Sequence, residues 1–184
     1  MAITGASGSG KTTLLMTLAG LIPPLDGHAM LNGVDLDSFD QHELPGAVAF
    51  FAEAAHVLAT TVRDNLLVAR GDCGDADLAA AFDAVELGEW LANLPEGLST
   101  VLTGGARAVS AGQRRRLLLA RAMLSPARIV LLDEPSEHLD AADAQRMLAD
   151  LLSPTSGLIS AERTVVVATH HLPEGIRCPE LRIG

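Results

Sequence analysis

Three groups of residues have the types and spacing that chemistry on a polyphosphate requires. The first is Gly5-Ala6-Ser7-Gly8-Ser9-Gly10-Lys11-Thr12, which fits the phosphate-loop pattern G-x-x-x-x-G-K-[ST]. Its glycines let the backbone wrap an anion without Cβ clashes, and its N–H groups form a nest completed by the positive end of the following helix. Lys11 reaches β- and γ-phosphates, and the Thr12 hydroxyl can take a place on Mg²⁺. The second is Asp133-Glu134, two adjacent carboxylates after the aliphatic run Ile129-Val130-Leu131-Leu132. Such a pair is costly unless it meets a cation or shares a proton. Mg²⁺ answers this for Asp133 and leaves Glu134 to polarise a water. The third is His170, after Thr164–Ala168, which is either a polar strand terminus or a γ-phosphate contact.

These residues need a scaffold that brings them to one edge. Ala2-Ile3-Thr4 reads as a buried strand, and Thr12–Leu21 as an apolar helix ended by Gly20 and Pro23-Pro24, giving strand, glycine loop and helix in order. His28–Leu36, with Asn32-Gly33 as its turn, reads as a hairpin strand. Ala47–Phe51 is a buried strand running into a polar loop at residues 52–56. Thr60–Leu66 is a capped short helix, Gly71–Asp75 a loop, and Ala76–Asn93 helical with a break near Gly88. After Pro95–Gly97 and the glycine-bearing stretch 103–107, Ser110–Gln113 opens a strong helix that ends before Pro126. Ile129–Leu132 is a central parallel strand, 141–152 a helix, 153–157 a turn-rich connection, and Thr164–Ala168 another buried strand. In open α/β sheets ligands bind at the carboxyl ends of the strands, where all three groups fall.

At 184 residues the chain can build one domain with a real core. That core is mainly Leu, Ala and Val, since 48% of residues are hydrophobic, only 3% are aromatic and tyrosine is absent. A net charge of −10 excludes a general nucleic-acid surface; Arg114-Arg115-Arg116 is short and lies in a helical pattern. No apolar run approaches the ~20 residues of a spanning helix, and the N-terminus does not read as a signal peptide. Cys73 and Cys178 lack a C-x-x-C partner and read as reduced thiols of a cytosolic domain. The acids between Ala76 and Asn93 read as a solvated face. His170 and His171, adjacent on a strand, face opposite ways and cannot share one ion.

Taken together, the motifs resemble the nucleotide-binding domain of an ABC transporter. GASGSGKT resembles Walker A, Ile129–Glu134 Walker B with its catalytic glutamate, Val109–Gln113 the LSGGQ signature, Glu137–Asp140 the D-loop, and His170 the switch histidine. The fragments AHVLATTVRDNL, DEPSEHLD and VVVATHH look most like the CydC half of CydCD-type exporters, linked to thiol reductant (glutathione or cysteine) export and cytochrome bd assembly. The resemblance implies an α/β P-loop NTPase fold: a mostly parallel sheet core flanked by helices, spanning 1–184, with a helical signature subdomain over about 60–125. It implies ATP and Mg²⁺ as ligands. Nucleotide would be held by Gly5, Ser7, Gly8, Ser9, Gly10, Lys11, Thr12 and Thr13, with Ser110, Ala111, Gly112, Gln113 and Asp140 completing the binding set. Catalysis would fall to Glu134, His170 and Lys11, and the metal to Thr12, Asp133 and Glu53. The implied partners are a second, CydD-like ATPase half packed head to tail, and the membrane domain of an exporter that keeps this chain at the cytoplasmic face; no nucleic acid is implied.

The departures from the family pattern carry expectations of their own. Glu53 stands where the Q-loop glutamine usually is, and a carboxylate cannot donate as an amide does. Ala111 replaces the usual first glycine of the signature, so its methyl crowds a partner's γ-phosphate only if the backbone there needs positive φ. The family's glutamate before the signature is not evident among Thr103–Ala108. The upstream β-hairpin and adenine-stacking aromatic are expected to be missing, which leaves His28–Leu36 with an exposed edge. Two alternatives stay open: a non-transport ABC ATPase, and a nucleotide-binding module without turnover.

Overall fold

A computed structural model describes residues 1–40, 43–53, 56–153 and 158–184. The tip of the expected polar loop at Ala54-Ala55 and the expected turn-rich connection at 154–157 lie outside the described residues. The chain divides into two compact units, one made of Met1–Glu53, Ala127–Glu137 and Ala142–Gly184, the other of Ala54–Pro126 and His138–Ala141.

The first unit is built on a five-stranded sheet containing β1 (Ala2–Thr4), β4 (Val48–Phe51), β5 (Ile129–Asp133), β6 (Thr164–Thr169) and β7 (Glu180–Arg182), in the order β4-β5-β6-β1-β7. Every pairing in it is parallel. Register sets the functional edge. Thr4 lies opposite Thr169, Asp133 opposite Ala168 and Phe51 opposite Leu132, so the residues that follow these strands leave the sheet side by side. Ile3, Leu15, Leu131, Val166 and Ala168 fill the core beneath that edge, with aliphatic side chains as the composition requires.

Helix α1 (Lys11–Leu18) ends earlier than its apolar pattern predicts. Gly20 turns the chain at φ +68°, and a Cβ there would strike Leu44. The hairpin is present as β2 (Met30–Leu31) and β3 (Val34–Asp35), antiparallel. Asn32 and Gly33 both have positive φ, as a tight two-residue hairpin turn demands, and Met30 and Val34 are exposed. Ala47 does not join β4 as expected; it closes the short helix α2 (Leu44–Ala47), and β4 is only half-buried at the sheet edge. Strand β7 was not legible beforehand, because Glu180-Leu181-Arg182 is short, charged and exposed. It is placed by β1, whose Ala2 pairs with Glu180 on one side and Val167 on the other. Helix α7 (Ala141–Leu152) runs over the expected residues.

In the second unit, α3 (Val62–Leu67) is capped by Thr61, whose hydroxyl accepts the Asp64 N–H at 3.0 Å. The expected helix over 76–93 is two helices, α4 (Asp75–Ala84) and α5 (Gly88–Ala92). The break falls at Glu86, φ +58°, and Gly88 opens α5 because a Cβ there would meet the Asp83 side chain. Phe82 and Trp90 pack across the joint with ring centroids 6.0 Å apart. Helix α6 (Ala111–Leu124) is long and buried along one side. From it the buried Arg121 donates to the Asn65 carbonyl at 2.5 Å, the Asn65 side-chain oxygen at 2.6 Å and the His56 carbonyl at 2.6 Å.

Candidate functional site

The glycine loop occupies the short interval between β1 and α1. Gly8 and Gly10 have φ of +79° and +95°, conformations that Cβ-bearing residues adopt only with strain. Gly5 has no room for a Cβ, which would strike the Ile183 carbonyl and lie 2.6 Å from Ser9 Oγ. Gly10 contributes no side-chain cap to α1, so the first N–H groups of that helix are left for the loop or what it holds. Ser9 Oγ is buried without a hydrogen-bond partner among the described residues, whereas Ser7, Gly8, Thr12 and Thr13 are exposed.

Lys11 is the centre of the site. It is 5% exposed, and its ammonium donates to the carbonyls of Gly5 at 2.8 Å and Ala6 at 3.1 Å. It also stands 3.3 Å from Glu134 Oε1 and 3.2 Å from His170 Nδ1. Next to it, Thr12 Oγ1 donates to Asp133 Oδ2 at 2.7 Å. A hydroxyl and a carboxylate so placed form a hard-oxygen donor set that suits Mg²⁺.

Glu134 has φ +45°, a conformation that costs on the order of 1–3 kcal/mol for a non-glycine residue and clusters at functional sites. Its own N–H still reaches the Ala168 carbonyl at 2.9 Å, so the carboxylate turns off the end of β5 while the backbone stays on the ladder. Burial raises its pKa, opposed by the charges of His170 and Lys11. His170 closes the group: its N–H donates to Glu134 Oε2 at 3.3 Å, and its Nε2 lies 3.3 Å from Oε1. Lys11, Thr12, Asp133, Glu134 and His170 are therefore together on one rim of the sheet.

The remaining candidates are placed differently. Glu53 follows β4 and is half-buried. The compact group of carboxylate and imidazole atoms among the described residues is Glu134, Glu137 and His170, without Glu53. In the second unit, Ser110 Oγ accepts the Gln113 N–H at 3.1 Å and Gln113 Oε1 accepts the Ser110 N–H at 2.9 Å. This reciprocal cap starts α6. Ala111 is the first helical residue of α6, not a positive-φ position, so the condition under which its methyl would crowd a ligand is not met. A Cβ on Gly112 would make ordinary contact with Leu139 at 3.8 Å. Asp140 is exposed just before α7.

Sequence reasoning missed two features. Glu137 joins the site because the Glu137 N–H returns to the Glu134 carbonyl at 3.1 Å, folding the chain back across Pro135. Positive φ at a glutamate had no signal in the sequence. The second is a cleft of about 540 Å³ beside the glycine loop, whose lining includes Gly5, His170, His171, Glu180 and Arg182; part of its wall comes from β7, a strand the sequence does not announce.

The ABC transporter family model matches residues 1–137. The chain belongs to the ABC transporter family. Within it this is an ABC-type ATPase domain, and so a nucleotide binder. The mycobactin import ATP-binding/permease protein IrtB of Mycolicibacterium thermoresistibile is 37% identical over 93% of this ABC chain and 29% of its own length. The glutathione/L-cysteine transport system ATP-binding/permease protein CydC of Escherichia coli K12 is also 37% identical, over 94% of this chain and 29% of its own. A solved structure of a bacterial Atm1-family ABC exporter with ATP bound superposes at TM-score 0.80 and 25% identity, covering 92% of this chain and 29% of that one. The ABC domain thus spans under a third of the length of these relatives. Among the described residues no helix is long and apolar enough to cross a membrane.

Proposed function

We propose that this domain binds ATP with Mg²⁺ on Gly5–Thr13 and hydrolyses it as one half of a head-to-tail pair that drives an exporter. The observation that carries the reading is the position of Lys11, buried between the glycine loop's carbonyls and the Glu134–His170 pair. Lys11 binds the terminal phosphates and offsets charge that develops on them. Thr12 and Asp133 hold the Mg²⁺, which supplies further charge neutralisation when bound, and Glu53 is the candidate for an additional metal contact. Glu134 orients or deprotonates the attacking water. Its raised pKa brings a carboxylate nearer the range where a general base works at neutral pH. His170 holds the γ-phosphate through its ring and Glu134 through its backbone N–H.

In this reading residues 60–125 form a signature-bearing subdomain of one ATP-binding domain. Ser110–Gln113, at the N-terminus of α6, caps the nucleotide of a CydD-like partner subunit, and Asp140 takes part in the same assembly. The segment from Glu53 to Thr61 contacts a membrane domain, which keeps the chain at the cytoplasmic face. For the cargo we propose a thiol reductant of the glutathione and cysteine class, supported by the likeness to CydC. The equal identity to IrtB makes mycobactin the competing cargo to assay.

The test is Mg-ATP binding by calorimetry and phosphate release by the chain with its partner subunit. Lys11→Ala is expected to weaken binding at least ~10-fold, the loss of one charge-assisted contact. Glu134→Gln is expected to bind as the parent does and lose ~10²–10⁴ in turnover. Parent-like affinity of the first, or parent-like turnover of the second, would sink the assignment of that residue.

A further inference from the structure

Glu137 has no part in the proposed hydrolysis, yet it lies against residues that do. One ligand atom from each of Glu134, Glu137 and His170 falls within 4.8 Å of the other two. Glu134 is 5% exposed, and its Oε1 is buried with no hydrogen-bond partner among the described residues. Lys11 Nζ and His170 Nε2 each stand 3.3 Å from that oxygen, longer than the ~2.7–2.9 Å of a charge-assisted hydrogen bond.

We propose that Glu134, Glu137 and His170 together bind a divalent cation of the Zn²⁺ class, and that the ion so held competes with nucleotide. Metal bonds of about 2.1 Å to nitrogen and oxygen set neighbouring ligand atoms of a tetrahedral site about 3.4 Å apart. The Glu134 Oε1 to His170 Nε2 separation is already 3.3 Å. Glu137, half-exposed on the turn after Pro135, has a carboxylate oxygen within 4.8 Å of the other two ligand atoms. One imidazole with two carboxylates selects Zn²⁺ and its neighbours over Mg²⁺, which prefers oxygen throughout and dehydrates reluctantly. Three protein ligands leave a fourth position for water.

Lys11 is the ion's rival. Its ammonium faces the same carboxylate oxygen and also His170 Nδ1 at 3.2 Å, so like-charge repulsion weakens the metal. Competition with ATP follows because both ligands call on Glu134 and His170. Metal binding stands on geometry alone; only the competition rests on the nucleotide reading.

The chain is titrated with Co²⁺ by visible absorption and with Zn²⁺ by calorimetry, alongside Glu137→Gln, Glu137→Ser and Lys11→Ala. One ion per chain is expected, with affinity at least ~10-fold weaker in both Glu137 variants and stronger in Lys11→Ala. Circular dichroism checks that each variant folds, and two substitutions at Glu137 guard against failure of one. Added Zn²⁺ is expected to weaken binding of a fluorescent ATP analogue to the parent by at least ~10-fold more than to Glu137→Gln. Chelation by the nucleotide is the same for both proteins, so the difference isolates the site. No ion bound, or Zn²⁺ affinity unchanged at Glu137, overturns the metal site. Equal weakening of the analogue in both proteins overturns the competition. An analogue that never binds while Zn²⁺ titrates as expected overturns the nucleotide reading and leaves the metal site standing.

Discussion

Arg121 is the strongest test of what holds the second unit together. Its guanidinium is buried, and its three acceptors are all neutral oxygens: the Asn65 carbonyl, the Asn65 side-chain oxygen and the His56 carbonyl. Arg121→Met keeps an unbranched apolar stem and removes every donor. Asn65 is fully buried, so its carbonyl is left unsatisfied, at about 1–3 kcal/mol. Its side-chain oxygen keeps the Leu58 N–H at 2.8 Å, and His56 is exposed, so those two losses are nearer 1 kcal/mol each. Against this, the variant recovers the cost of burying the charge, which is the cause of Arg121's lowered pKa. The balance is destabilisation of about 3 kcal/mol, or a melting point lower by roughly 6–12 °C in a chain of this size. Urea unfolding of the parent, Arg121→Met, Asn65→Ala and the double variant gives the coupling, expected at about 1.5–3 kcal/mol. A methionine variant melting within ~2 °C of the parent, or strict additivity, would refute the network as the source of stability.

Glu134 should show in pH dependence. Its folded pKa is raised above the unfolded value by burial, so the stability it contributes is fully present below the unfolded pKa and is lost as pH rises through the folded one. Glu134→Gln is therefore expected to gain stability relative to the parent as pH goes from 4 toward 7, read by melting at several pH values; a gain that shrinks instead would contradict the burial argument. Ser110→Ala removes one half of the reciprocal cap on α6 and is expected to cost about 1 kcal/mol in urea unfolding; an unchanged midpoint would show the cap to be dispensable. Gly5→Ala drives a methyl at the Ile183 carbonyl and Ser9, with an expected cost of about 1–3 kcal/mol and faster hydrogen exchange at the Ile183 N–H, which now bonds the Thr4 carbonyl at 2.9 Å. Parent-like exchange there would mean that the contact yields without cost.

Much of the site was written in local sequence because its positions need particular residues. Gly8 and Gly10 hold φ angles that favour glycine, and Asp133 and Glu134 end an aliphatic run that reads as an interior strand. Parallel pairing then brings distant strand ends to one edge, so His170 could be expected on the same edge as the loop, though the strand order that sets it there could not be read. What could not be read depends on partners far along the chain. Strand β7 has no strand-like composition of its own and forms because β1 has a side to fill. The left-handed turn at Glu134, which gathers Glu137, reflects tertiary constraint overriding a residue's own preference. The break near Gly88 falls where the sequence puts it, but the left-handed turn at Glu86 and the clash with Asp83 that Gly88 avoids depend on packing.

Strand β1 has consequences for how the protein comes into being. Its residues leave the ribosome long before the two strands that flank it, Thr164–Thr169 and Glu180–Arg182. The glycine loop therefore stays untethered until those strands emerge, and its seating must wait for a closure over all the residues between them and β1. Closures of that span make folding slow rather than weak. Nascent chains have to carry an exposed Ala-Ile-Thr segment until those two strands arrive.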